Sequence, residues 1–594
     1  MSTAVSTTEG LPSVQAIRSF RVPRGVLGLT MLFTGAAGLV YEYVLSTVFS
    51  YLLGNSIEQF SITIGLMFLM MGVGGFLQTR LKGALVELFI MAELMLVLLG
   101  GFAPVAMQWS FIYLQSDFVW VKLFYTCAIA LLIGIEIPLV MRINERFTKN
   151  LGSNIASTWA WDYVGGALGV VAWVMLLRAM VPLTHISFLI AGCNLVVAIM
   201  SLVFFWRHGL LVGAKNRLVT VVSLIVTCAL MAGGFSQVDR WTVSISQRLY
   251  DDPIVASVTT KYQNIVLTRG SHPFEPGNYD YTLWLNGNKQ FSSVDEAIYH
   301  EYLVHPAMTL SARHQRVLIL GGGDGMALRE VLKYQDVDEV TLVDLDPGMI
   351  QLASTNPALV EINQHAFQDA RVTSDVSAML GVRDTEQTAD VWVDTGEATP
   401  VGCDDKRADQ ECVTVPVTQD VADVTVYTID ADRFLAEDSG PWDVVIVDLP
   451  DPNSIELAKL YSQEFYSKVR RVLAPDGVMV VQSTSPYHAK ETFLCIMRTV
   501  DAAGFGVLPF HDNVPSFGDW GWIIASPSLS ADQLHARVKE MRPFEVDTRR
   551  ILAENMQRAI IFDRGALVAS SDAVSTLMTP VVFDLYTYEG WRVE

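Results

Sequence analysis

At 594 residues the chain is too long for one hydrophobic core, so it requires at least two domains. Apolar residues make up 51% of it and charged residues only 17%, which excludes an ordinary soluble composition throughout. A net charge of −21 excludes nucleic acid as a partner, because a phosphate backbone is held by basic patches; the acidity suits a small cation or serves solubility alone.

The composition divides the chain in two. Residues 1–25 form a polar tail without a signal-peptide pattern, which makes the first apolar run an uncleaved anchor. Residues 26–236 are dominated by seven apolar runs, about 26–52, 57–79, 85–107, 118–141, 157–181, 183–206 and 218–236. Each has roughly the 20 residues that a membrane-spanning helix needs. Lys and Arg concentrate in the tail and in the second, fourth and sixth loops (Arg24, Arg80, Lys82, Arg142, Lys215 and Arg217 among them). By the positive-inside rule the N-terminus is then cytoplasmic, and an odd number of spans puts the C-terminal half on the other side. The expected location is the cell (inner) membrane, with lipid as a partner. Glu42, Glu87, Glu93, Glu136 and Asp162 fall within the runs. Such acids either hydrogen-bond between helices or line a cation path. Small residues in MGVGGF and YVGGALG suit close helix packing.

Residues 237–294 read as a small β subdomain, with IVASVTT, NIVLTR and YTLWLNG as strands. Over 295–530, VLILG, VTLVDLD, VTVYTID, WDVVIVDLP and GVMVVQS alternate with helical stretches. This pattern predicts a doubly wound, Rossmann-like parallel sheet, whose ligands bind beyond the carboxyl ends of the strands. Residues 374–423 are an acidic insert of no assigned role, and 531–594 are a closing segment. Cys403 and Cys412 flank a polar loop within the insert and are placed to pair, which would imply an oxidising compartment. HEYLVH spaces His300 and His305 five apart, so they do not share the helical face that a zinc site requires.

The polar residues fall at the strand exits. In LGGGDGM, Gly321, Gly323 and Gly325 permit a sharp turn and close approach to a ligand. Met326 stands where a dinucleotide fingerprint has its third glycine, and no GK[ST] follows to make a P-loop. Asp324 puts an acid where a pyrophosphate would be repelled and an amine or sulfonium welcomed. Asp344, 21 residues beyond Gly323, is placed for ribose hydroxyls, and Asp430 for an adenine amino group. Taken singly these acids are helix caps or solvated loop residues; taken together at successive exits they favour an adenosine site. Asp448 and Asp451 flank a proline-rich turn, in an arrangement that can hold an ammonium and then remove its proton.

YQNIVL, LWLNGNKQFSSVDEAIYHEYLVHPAM, LGGGDGMALREVL, VTLVDLDPGMI, IDADRFL and VDLPDPNSIELAKLYSQEFY, in this order, resemble the spermidine synthase family of aminopropyltransferases over about 255–530. FTGAAGLVYEYVLSTVFSYLLG is similar to the membrane half of membrane-fused members. The resemblance implies decarboxylated S-adenosylmethionine as co-substrate, an amine acceptor such as putrescine, no permanently bound cofactor or metal, and a homo-oligomer, a dimer; a donor kept in the cytosol implies a cytoplasmic catalytic half, against the loop charges, so its side stays open. It also implies that Asp324 binds the donor's aminopropyl ammonium, Asp344 the ribose and Asp430 the adenine, with Gln263 and His300 making further donor contacts. Asp448 becomes the base, and Tyr299 and Asp451 position the amine. The departures are Phe517 in VPSFGDWGW where a hydroxyl-bearing Tyr is expected, Pro450 between the two acids, and Asn453-Ser454 for a Gly-Pro. All three lie on the acceptor side. Two other classes of function remain open: polyamine transport or sensing with a binding-only soluble half, and cleavage or cyclisation of an S-adenosyl compound without an amine.

Overall fold

The computed structural model describes residues 22–372 and 423–589, apart from 54–55, 115, 146–150, 179–180, 212 and 439. Cys403, Cys412 and nearly all of the insert lie outside the described residues. The chain divides into two compact units at Asp251/Asp252.

The first unit is a helical bundle. Among the described residues its seven long helices are α1 (Val22–Leu53), α2 (Ser56–Leu77), α3 (Leu85–Tyr113), α4 (Phe118–Asn144), α5 (Leu151–Ala172, continued by a π-helical turn at Trp173–Leu177), α6 (Leu183–Arg207) and α7 (Ala214–Ser246). All seven are long and apolar enough to cross a membrane. The last helix runs ten residues past the predicted 236, because VDRWTVSIS ends the apolar run but contains no Gly or Pro to end the helix. Glycines allow the close packing that the sequence suggests: a Cβ at Gly165 would lie 2.0 Å from the Leu32 carbonyl of α1, and one at Gly74 would lie 2.4 Å from the Leu131 carbonyl of α4. Glu42, Glu93 and Glu136 are buried in the bundle. Among the described residues neither carboxylate oxygen of Glu93 has a hydrogen-bond partner, nor does Oε1 of Glu136.

The second unit opens with an antiparallel sheet in the order β1-β2-β3-β4, from β1 (Ile254–Thr259), β2 (Asn264–Ser271), β3 (Tyr279–Leu285) and β4 (Asn288–Ser292). The β3–β4 hairpin turns at Asn286-Gly287, whose φ values of 51° and 82° suit a tight two-residue turn. Helix α8 (Glu296–Leu310) leads into the main domain. Its elements in chain order are β5 (Arg316–Gly321), α9 (Met326–Val331), β6 (Glu339–Asp344), α10 (Pro347–Thr355), α11 (Pro357–Ile362), β7 (Asp423–Thr428), α12 (Ala431–Glu437), β8 (Trp442–Asp448), α13 (Ile455–Ala458), α14 (Gln463–Val472), β9 (Leu473–Gln482), α15 (Lys490–Ala502), β10 (Gly506–Val514) and β11 (Gly518–Ser526). The closing segment holds α16 (Ala531–Lys539), α17 (Ala553–Ala559) and α18 (Val581–Asp584).

Among the described residues seven strands lie in the order β10-β11-β9-β8-β5-β6-β7. Strands β5 to β9 run parallel to one another, whereas β11 runs antiparallel to both β9 and β10. The sheet is therefore mixed, where the alternation predicts an all-parallel one. The reason is local: three residues after Val514 and a Gly518 at φ 86° make a hairpin, and no helix follows β10 to carry a parallel crossover. Buried side chains alternate across the sheet. Val317, Ile319, Val444 and Ile446 enter one core, and Leu318, Leu320, Val445 and Val447 enter the other. Each such fully buried chain contributes roughly 1.5–3 kcal/mol, which holds the strand exits as a rigid edge.

Candidate active site

β5 pairs with β6 on one side and β8 on the other, so the chain leaves the sheet in opposite directions around the glycine turn. A crevice at the carboxyl ends is expected at such a point. Along this edge stand, in order, Asp430 after β7, Asp344 ending β6, the turn after β5, and Asp448 ending β8. At about 4.8 Å per strand the row is roughly 14 Å long, the scale of an extended nucleoside with a short side chain.

The turn is built by its glycines. Gly321, Gly322 and Gly325 have φ of 89°, 67° and 82°. A Cβ at Gly321 would sit 1.9 Å from the Asp448 carbonyl, and one at Gly323 would sit 2.6 Å from Oδ2 of Asp344. The Gly322 amide donates to the Asp448 carbonyl at 3.2 Å, which ties the turn to the β8 exit. Met326 opens α9 fully buried in the core.

Asp344 accepts from the amides of Gly323 (3.0 Å) and Asp346 (2.8 Å). Burial pushes its carboxyl up to about 6, with the charges of Asp346 and Asp324 adding and the two amides opposing. Asp324 accepts from the Met326 amide at 2.9 Å, and its charge also reaches Asp448. It therefore lies in electrostatic range of both neighbouring acids. Gln263 bonds towards Asp346, and its carbonyl accepts from the Thr260 amide. Asp430 caps α12 through the amides of Asp432 and Arg433 and forms an ion pair with Lys459. Burial raises the Asp430 carboxyl, but Lys459 and the amides outweigh it and the net shift is downward. An adenine amino group would share Asp430 with Lys459 or displace it.

On the other side of the turn, Tyr299 of α8 donates to Oδ1 of Asp448 at 2.8 Å. Burial raises the Asp448 carboxyl to about 6, and the Asp324 charge adds, while His300 and the Tyr299 hydroxyl oppose. The Tyr299 phenol itself is pushed well up by burial and by Asp448, so it serves as a donor. His300 does not bond to Asp448. Its Nδ1 meets the Glu296 carbonyl (2.8 Å) and carboxylate (3.0 Å), and Glu296 is in turn held by Arg329 at 2.8 Å. Burial lowers the affinity of His300 for a proton, but Glu296, Asp324 and Asp448 together turn the shift upward. His305 is taken up elsewhere, in the core, by Glu330 at 2.9 Å and Tyr334 at 3.1 Å.

Asp451 has both carboxylate oxygens engaged, Oδ1 by Gln482 at 3.2 Å and Oδ2 by Tyr586 at 2.9 Å. Burial pushes it up to about 6 against these donors. Tyr461 donates to the carbonyls of Leu449 (3.1 Å) and Pro450 (3.0 Å), which fixes the turn between the two acids. Phe517 packs against Trp520 with ring centroids 4.9 Å apart, and Ser516 pins its loop to Asp295 at the start of α8. The sequence reading missed Glu296, Lys459, Gln482 and Tyr586. Gln482 had a signal, since it ends the predicted GVMVVQS strand. Tyr586 had none, being 135 residues from its partner.

A family model described as the spermine/spermidine synthase domain matches residues 296–413 and 412–533. Polyamine aminopropyltransferase 1 of Streptomyces coelicolor is 36% identical over 586 residues, covering 98% of this chain and 97% of that protein. Polyamine aminopropyltransferase 2 of Aquifex aeolicus is 32% identical over 571 residues, covering 94% and 98%. A solved spermidine synthase from Thermotoga maritima is similar to 53% of this chain and 87% of its own, at 20% identity and a TM-score of 0.38. By identity over nearly its whole length, the chain belongs to the polyamine aminopropyltransferase family of the spermine/spermidine synthases and is a transferase.

Proposed function

We propose that this protein is a membrane-anchored enzyme that moves an aminopropyl group from decarboxylated S-adenosylmethionine to a polyamine acceptor such as putrescine. The observation that carries the reading is the row of carboxylates on adjacent strand exits, which ends at an Asp448 oriented by Tyr299. Asp430 and Asp344 take the adenine and ribose, and Gln263 and His300 support them. The glycine turn lets the sulfonium come close to the backbone, and Asp324 holds the aminopropyl ammonium. A carboxylate on that carbon would face Asp324, so the intact methyl donor is disfavoured. The acceptor amine, held by Asp451 and Tyr299, gives its proton to Asp448 and attacks the carbon beside sulfur. A C–N bond forms, the C–S bond breaks with its electron pair on sulfur, and methylthioadenosine leaves. A base near 6 is ionised at neutral pH yet still accepts a proton.

The seven apolar helices support anchoring in the cell (inner) membrane with a cytoplasmic N-terminus. Loop charge favours an extracytoplasmic catalytic unit, whereas a donor made in the cytosol favours the opposite. A C-terminal alkaline phosphatase fusion decides between them, since that enzyme is active only outside the cytosol. The activity is tested by mass spectrometry on purified protein given intact or decarboxylated S-adenosylmethionine, with and without putrescine, beside Asp448→Asn. Methylthioadenosine with an extended amine, lost in the variant, is the expected result. Methylthioadenosine alone points to cleavage or cyclisation, and absence of turnover defeats the enzyme reading. The Glu93 carboxylate, neither of whose oxygens has a hydrogen-bond partner among the described residues, favours a second reading, polyamine transport, which predicts that Glu93→Gln abolishes amine flux and spares turnover.

A further inference from the structure

All but the first three residues of the closing segment lie beyond the match to the synthase domain, which ends at 533. Its last described stretch is α18 and the π-helical turn Leu585–Glu589. Val582, Phe583 and Leu585 are buried there. They join the same apolar cluster as Leu449, Ala458 and Tyr461, the residues that shape the Asp448–Asp451 turn. Just before it, Ser575 is tied at both backbone groups: its amide donates to Thr499 (3.0 Å), and its carbonyl accepts from the Gln463 amide (2.9 Å). The apolar side chains seat this strap, so packing alone does not explain its polar member. Tyr586 is only half-buried, and its hydroxyl reaches past them to Oδ2 of Asp451 at 2.9 Å.

We propose that the strap completes the acceptor side of the active site, with the Tyr586 hydroxyl fixing the Asp451 carboxylate for the incoming amine. This rests on the aminopropyltransferase reading above. With Gln482 on the other oxygen, the plane of the carboxylate is set from two sides. The 514–518 loop carries a phenyl ring at Phe517, already packed against Trp520, and supplies no side-chain hydroxyl at that position. The strap brings one from the far end of the chain. A hydrogen bond donated to a carboxylate favours its charged form, the form that attracts an ammonium.

The test is Tyr586→Phe in the full-length protein, with steady-state kinetics in both substrates and a thermal midpoint. The expected result is a rise of about tenfold in KM for the amine. KM for the donor and the thermal midpoint stay near wild type, and the acid limb of kcat/KM for the amine moves to higher pH. Tyr586→Gln, which keeps a donor, recovers part of the loss. An unchanged amine KM and acid limb would overturn the proposal. So would a loss shared equally by both substrates with a lowered midpoint, the mark of a strap that only packs. If wild type itself transfers no aminopropyl group, the underlying reading fails and takes this one with it. If wild type transfers normally and Tyr586→Phe matches it, only this inference falls.

Discussion

Replacing Tyr299 by Phe removes the 2.8 Å hydrogen bond to Asp448 and leaves the ring between its aromatic neighbours Trp520 and Trp522. A hydrogen bond to a charged group is worth about 1.5–3 kcal/mol, and each pKa unit is about 1.4 kcal/mol. The bond stabilises the ionised carboxylate, so its loss raises the pKa of Asp448, from about 6 in the native protein, by roughly one to two pH units. At pH 7 the ionised fraction then falls from about nine-tenths to between about a half and a tenth. The amine must meet an ionised base, so kcat/KM for the acceptor drops by roughly two- to tenfold at pH 7 and recovers towards pH 9. The assay is methylthioadenosine release at saturating donor, measured across pH. A loss that is the same at every pH, or an acid limb that stays put or moves down, would refute the assignment of Asp448 as the base oriented by Tyr299.

Asp324→Asn removes the charge that faces the donor's side chain, and preference for the decarboxylated over the intact donor falls by about tenfold in competition assays. Gly323→Ala drives a Cβ to within 2.6 Å of the Asp344 carboxylate. KM for the donor should rise about tenfold while that for the amine holds. Glu330 is fully buried against His305, Arg329 and Lys333. Glu330→Gln removes the buried carboxylate that pairs with Arg329 and Lys333, at a cost of about 3–5 kcal/mol, read as a lower denaturant midpoint. Glu296 is held down to about 2 by His300 and Arg329 despite its burial. Its contribution to stability is complete above its ordinary value of 4.5 and is lost as pH falls towards 2, so Glu296→Gln should flatten the acid-unfolding curve over that range.

Much of the active edge was legible because its residues are local to recognisable units. Each parallel strand announces itself as a short apolar run, and whatever follows it must emerge at the same edge. This is why Gly321 to Gly325, Asp344, Asp430 and Asp448 could be placed together from spacing alone. The seven apolar runs were equally plain, since length and hydropathy need no tertiary context. The ends of the helices were not, as the polar continuation of α7 shows.

What the sequence left open is everything that depends on which side chain meets which. Asp430 reads as a free acid, and only the fold brings Lys459 onto it. His300 follows Tyr299 directly, yet the helix turns one to Asp448 and the other to Glu296. The antiparallel pair β10–β11 reads as one more piece of an alternating fold until the hairpin reverses it. Tyr586 sits in an unremarkable closing segment and finds Asp451 only because three apolar neighbours have a core to enter. Sequence determined the strand exits and their acids, because periodicity and glycine placement are properties of neighbours along the chain. Tertiary structure decided the partners that set each acid's charge and orientation, because hydrogen bonds and burial depend on distance in space.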